Sequence, residues 1–144
     1  MTPLTLNDLE AATARFFEMH WNEAAGLQRP PSWLGWHAFQ GSVPNFQHAG
    51  CYALFVGKTL VYVGVGASKG GGLYPDHGIS RRLLSHVLKA NRHEGRGVYV
   101  TRPRWEGVTS IYTIGFSSEF AHLSPALESF LIRVLAAGLR NARV

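Results

Sequence analysis

Gly50-Cys51-Tyr52-Ala53-Leu54-Phe55-Val56-Gly57-Lys58-Thr59-Leu60-Val61-Tyr62-Val63-Gly64-Val65 is the stretch on which the reading of this chain turns. Two β-prone runs, Cys51–Val56 and Leu60–Val65, flank Gly57-Lys58 in the pattern of a β-hairpin. Side chains alternate between faces along a strand, so the loop decides where Tyr52 and Tyr62 point. A two-residue loop sets Ala53 opposite Tyr62 and sends Tyr52 to the other face. An odd loop, Val56–Lys58 or Gly57–Thr59, or a bulge brings both tyrosines to one face. Tyrosines that work together require the second arrangement.

Downstream of the hairpin, Gly66 to Gly78 is glycine-rich, and Ser80 is placed to cap a helix from Arg81 to about Asn91. At 100° per residue, Ser85, His86, Lys89 and His93 fall within about 60° of Arg82, giving one polar stripe. That stripe is either a phosphate-facing ladder or simply the solvent side. Val98–Thr101 and Ser110–Phe116 read as further strands. Ser124-Pro125 opens a last helix, Ser as N-cap and Pro at the first helical position. Within its apolar arc of Leu127, Phe130, Leu131, Ile132, Val134 and Leu135 stands one carboxylate, Glu128. A carboxylate on such a face is costly unless it is paired with an arginine or bound to a metal.

Upstream, Leu6 to roughly Ala25 has the periodicity of an amphipathic helix, capped by Thr5 or Asn7. Gly26 to Gln47 is loop-rich, broken by Pro30-Pro31, Gly35, Gly41 and Pro44. Its aromatics, Trp33, Trp36, Phe39 and Phe46, are more economically read as packing than as base-stacking groups.

The 144 residues suit one domain, and 46% hydrophobic with 16% charged residues is globular composition. Cys51 is the single cysteine, which excludes an intrachain disulfide and a cysteine zinc cage. No leader pattern or apolar run of about 20 residues is present, so the expected location is cytoplasmic, without a membrane partner. The net charge of +5 is unevenly spread: Lys58 to Arg104 holds nine Lys/Arg against Asp76 and Glu94. The rest holds five basic and seven acidic residues. A basic central third attracts polyanions, although a solvated cationic surface gives the same count.

Two patterns are set aside. Gly64-Val65-Gly66-Ala67-Ser68-Lys69 ends in lysine where a dinucleotide fingerprint needs a small residue, and no nucleotide cofactor is expected. The seven histidines show no zinc-binding spacing.

Taken in order, these residues resemble the GIY-YIG nuclease superfamily. Gly50-Cys51-Tyr52 stands where the first signature triplet belongs, and Tyr62-Val63-Gly64 where the second does. Arg82 with His86 resembles the family's helix-borne arginine and its partner four residues on. Glu128-Ser129-Phe130-Leu131-Ile132, followed by Asn141, is similar to the terminal glutamate helix and late asparagine. The likeness covers about two-thirds of the chain. It leaves residues 1–48 as an N-terminal helical and loop extension packed on a catalytic domain of residues 49–144.

The resemblance implies an α+β fold, a small mixed and mainly antiparallel sheet flanked by helices. It implies a divalent-metal-dependent endonuclease, with DNA the favoured substrate and one Mg²⁺ or Mn²⁺ held by Glu128. The alternative is a non-catalytic nucleic-acid-binding module retaining the fold. In the nuclease reading Tyr52 is a general base or water-orienting group, and Tyr62 holds the water or positions Tyr52. Arg82 forks onto the phosphate, His86 relays a proton or binds a phosphate, and Asn141 completes the catalytic set. Lys69, Lys89, Arg92, Arg96, Arg102 and Arg104 are the expected phosphate contacts.

Overall fold

The fold follows from one strand that is apolar on both faces. In the computed structural model, which describes residues 3–21, 29–66, 78–91 and 93–140, Ala49–Val56 forms β2, buried from Ala49 to Phe55. Cys51, Ala53 and Phe55 pack on one side with the first and last helices, while Tyr52 and Leu54 pack on the other. A strand covered on both faces reads as a continuous apolar run, which is why β2 shows no polar alternation. Around it lie β1 (Leu34–Trp36), β3 (Thr59–Gly66) and β6 (Ser110–Phe116), in the order β1-β6-β2-β3. A second sheet pairs β4 (Leu88–Ala90) with β5 (Tyr99–Thr101). All these pairings are antiparallel, and with three helices the fold is α+β.

The hairpin turn is two residues long after all, because Val56 pairs with Thr59. Gly57 takes φ +60° there, the positive φ that the first position of a II′ loop requires. The register then slips: Phe55 faces Leu60 but Leu54 faces Tyr62, leaving Val61 as the extra residue of a bulge. Tyr62 is thereby put on the face that carries Tyr52.

Helix α1 (Leu6–His20) starts at Thr5, which forms a capping box with Asp8. It ends at His20 rather than near Ala25, since Trp21 is already extended. The loop-rich segment expected for Gly26–Gln47 contains β1, which adds an edge to the sheet by pairing with β6. Residues before 49 thus supply both a covering helix and a strand. Trp33 is buried on the α1 side, its indole N–H donating to Thr13 Oγ1 at 2.8 Å, whereas Trp36 packs on the opposite face.

Two further boundaries differ from the sequence reading. Helix α2 (Gly78–His86) starts before Ser80, whose hydroxyl donates to Phe46 O instead of capping. It stops at His86 because Val87 and Leu88 turn into the core and Lys89 enters β4 opposite Val100. The polar ladder is therefore cut short, with Lys89 on a strand and His93 in a turn. Helix α3 (Leu123–Leu135) starts at Leu123, so Ser124 is not its cap but a fully buried residue of its first turn. The start of the outer edge of β3 is covered by segments next to α1 and α3: Leu60 N–H donates to Leu4 O and Arg140 N–H to Val61 O. Among the described residues no helix is long and apolar enough to cross a membrane.

Candidate active site

Gly64 lies directly opposite Tyr52 in the β2–β3 register. A Cβ there would run into the phenol ring, so glycine lets the ring lie across the neighbouring strand. Tyr52 and Tyr62 stack with centroids 6.1 Å apart and planes at 26°. Glycine also brings α2 in: a Cβ on Gly66 would meet Gly78 O and the Ile79 Cα at 2.6 Å. Ile79 and Leu83 anchor α2 in the core, leaving Arg82 and His86, one turn apart, beside the tyrosines.

Tyr52 Oη stands 3.3 Å from His86 Nδ1. Burial pushes the Tyr52 phenol above its ordinary range, with Tyr62 adding to the rise and the charge and hydrogen bond of Arg82 opposing it. His86 moves the other way. Burial lowers its pKa, and the charges of Arg82, Arg104 and Arg102 lower it further. A protonated phenol thus faces a neutral imidazole; in the tautomer with its ring proton on Nε2, Nδ1 accepts from Oη.

Glu128 comes from the opposite layer. Helix α3 packs on the Cys51 face of the sheet, where the Cys51 thiol donates to Ser124 O at 3.2 Å. From there the half-buried Glu128 carboxylate reaches the free edge of β3 and accepts the Val65 N–H. Burial raises its pKa, while Arg82 opposes the rise through charge alone. Glu128 also acts electrostatically on Tyr52. The site straddles a sheet edge.

Of the catalytic residues expected from the sequence, Tyr52, Tyr62, Arg82, His86 and Glu128 are brought together. Asn141, Lys69, Arg92 and the glycine-rich residues 67–77 lie outside the described residues. Lys89, Arg96 and Arg104 are exposed. Arg102 is committed to the fold, its Nε donating to Leu88 O at 3.0 Å and its NH2 to Leu84 O at 2.6 Å. Compared with protein-family models, curated proteins and solved structures, the chain gives no match.

The sequence reading passed over Trp105. Its ring meets Tyr62 edge-to-face at 4.6 Å and His86 at 5.8 Å, with the Arg104 guanidinium 4.9 Å above it. The available signal was a tryptophan directly following the Arg102-Pro103-Arg104 run. As for a metal, no cluster of three His, Cys, Asp or Glu occurs among the described residues. A protein cage for zinc is not built there. One half-buried carboxylate, lifted by desolvation, suits a hard cation that keeps most of its water, so Glu128 fits Mg²⁺ or Mn²⁺.

Proposed function

We propose that the chain is a divalent-metal-dependent nuclease of the GIY-YIG kind, hydrolysing phosphodiester bonds in nucleic acid, with DNA the favoured substrate. Its single cysteine is a buried thiol, which suits the reducing cytoplasm as its place of work. The observation that carries this reading is the Tyr52 Oη–His86 Nδ1 contact of 3.3 Å, flanked by Arg82, which hydrogen-bonds the phenol, and by the Glu128 carboxylate.

A phenol held protonated cannot begin as the base. Tyr52 instead relays: it takes a proton from the attacking water at Oη while giving its own to His86 Nδ1. The neutral His86 is the acceptor. As the water oxygen bonds to phosphorus, the bond to the leaving oxygen breaks, and that oxygen takes a proton from solvent. Tyr62, stacked on Tyr52, fixes the phenol plane. Arg82 offers its fork of donors to the scissile phosphate. The chemistry supplied by Mg²⁺ or Mn²⁺ at Glu128 is stabilisation of the charge that builds on the phosphate. Lys89, Arg96 and Arg104 track the backbone, giving affinity without base specificity.

The test incubates the purified chain with single-stranded, duplex and branched DNA and with RNA, each in Mg²⁺ and in EDTA. Cleavage in Mg²⁺ alone is expected, fastest on DNA. Binding with no cutting of any substrate replaces this reading with that of a nucleic-acid-binding module.

A further inference from the structure

Trp105 is the largest fully buried side chain of the protein, and it stands behind the site rather than in it. It ends a short 3-10 turn, Pro103–Trp105, that follows β5. Its ring touches one aromatic from each of two elements, Tyr62 of β3 and His86 of α2. Among the described residues its indole N–H has no hydrogen-bond partner. An unpaired buried donor is disfavoured, so what this position uses is the ring face. The outer side of the ring carries the Arg104 guanidinium at 4.9 Å.

We propose that Trp105 is a positioning residue, which fixes the Tyr62 and His86 rings relative to Tyr52 and holds the Arg104 cation close to the imidazole. The proposal rests on the nuclease reading for its kinetic consequence only. The groups that face His86 are Tyr52 from β2, Tyr62 from β3, Arg82 from α2, and Arg102 and Arg104 beside the 3-10 turn. Trp105 touches two of these directly, Tyr62 and Arg104. Removing it hydrates the imidazole and releases one cation, and both effects favour the protonated ring.

The test compares Trp105→Leu and Trp105→Phe with the parent chain, each checked for folding by melting and circular dichroism. The His86 ring is titrated by NMR without substrate, and kcat and KM are measured in Mg²⁺. In Trp105→Leu the His86 pKa is expected to rise toward about 6.5. Its kcat should fall on the order of a hundredfold, the effect of small misplacement at a site, with KM held within about twofold of the parent. Trp105→Phe should lie between parent and Trp105→Leu in both readings. A folded Trp105→Leu with the parent His86 titration overturns the proposal. Should Trp105→Leu not fold, Trp105→Phe decides by the same titration: a rise supports the proposal and parent values overturn it. A chain that cleaves nothing removes the nuclease reading, while the titration still judges what Trp105 does.

Discussion

Tyr52 and Gly64 face each other across the hairpin, and the phenol ring of one occupies the space that a side chain on the other would need. Gly64 is thus part of the tyrosine's binding surface. Gly64→Ala forces the ring or the strand to move. Overpacking of this kind costs about 1–3 kcal/mol, and the displaced phenol loses its reach to His86. Cleavage should fall by more than tenfold while nucleic-acid affinity stays near the parent value. Melting curves and gel-shift titrations alongside a cleavage assay check it, and an alanine protein with parent activity would show that Tyr52 tolerates movement.

Glu128→Ala should abolish cleavage and leave binding largely intact. The glutamate's carboxylate is half-buried, and the charge of Arg82 opposes the rise that burial gives its pKa. Its pKa is raised by burial, so the contribution to stability is present at low pH and is lost as pH rises through the folded value. At neutral pH the alanine protein should therefore melt at or above the parent temperature without metal. Added Mg²⁺ should raise the parent's melting temperature and not the variant's. Loss of folding in the variant would mark Glu128 as a structural group instead.

Cleavage should lose rate as pH falls below about 6.5, the ordinary histidine value, because His86 must be neutral to accept the Tyr52 proton. The His86 pKa is depressed, chiefly by burial, so the midpoint of this limb should lie below that value. Stability has the same sign. His86 contributes stability above the unfolded pKa and loses it as pH falls through the folded one. A rate profile between pH 5 and 8 measures the limb, and His86→Ala should remove it together with most of the activity.

Arg102 and Arg104, alike in the sequence, should separate on mutation. Arg102 donates to the carbonyls of Leu84 and Leu88, so Arg102→Ala should destabilise the fold by about 1.5–3 kcal/mol, the range for charge-assisted bonds. Arg104 is exposed above Trp105, and Arg104→Ala should leave melting within about 1 kcal/mol of the parent. It should lower the salt dependence of binding by about one unit of slope. Equal melting temperatures for the two variants would contradict the assignment.

What the sequence made legible was decided by local pattern. The apolar runs around Gly57-Lys58 specified the hairpin, and Tyr52 and Tyr62, if they were to share a face, called for either an odd loop or a bulge. Where the register slips was not legible, because nothing distinguishes Val61 from Val63 until β2 is paired on both sides. Strands β1 and β4 escaped for a related reason. Leu34–Trp36 and Leu88–Ala90 are three residues each, and partners 77 and 11 positions away at their central residues, Tyr112 for Gly35 and Val100 for Lys89, make them strands. Periodicity carried the helix pattern that begins near Arg81 through Leu88 and beyond, but tertiary pairing took those backbone groups. Trp105 stayed hidden because a single buried aromatic has no spacing to read.

In the nuclease reading proposed above, the position of Glu128 at the rim of β3 has a consequence for when the chain can act. The glutamate and the tyrosine–histidine pair belong to layers on opposite sides of the sheet, and they meet only once α3, the sheet and α2 are all docked. A nascent or partly melted chain therefore carries either the proton relay or the carboxylate, never a working pair. Hydrolytic competence arrives only with completed assembly, and local opening at either layer switches it off.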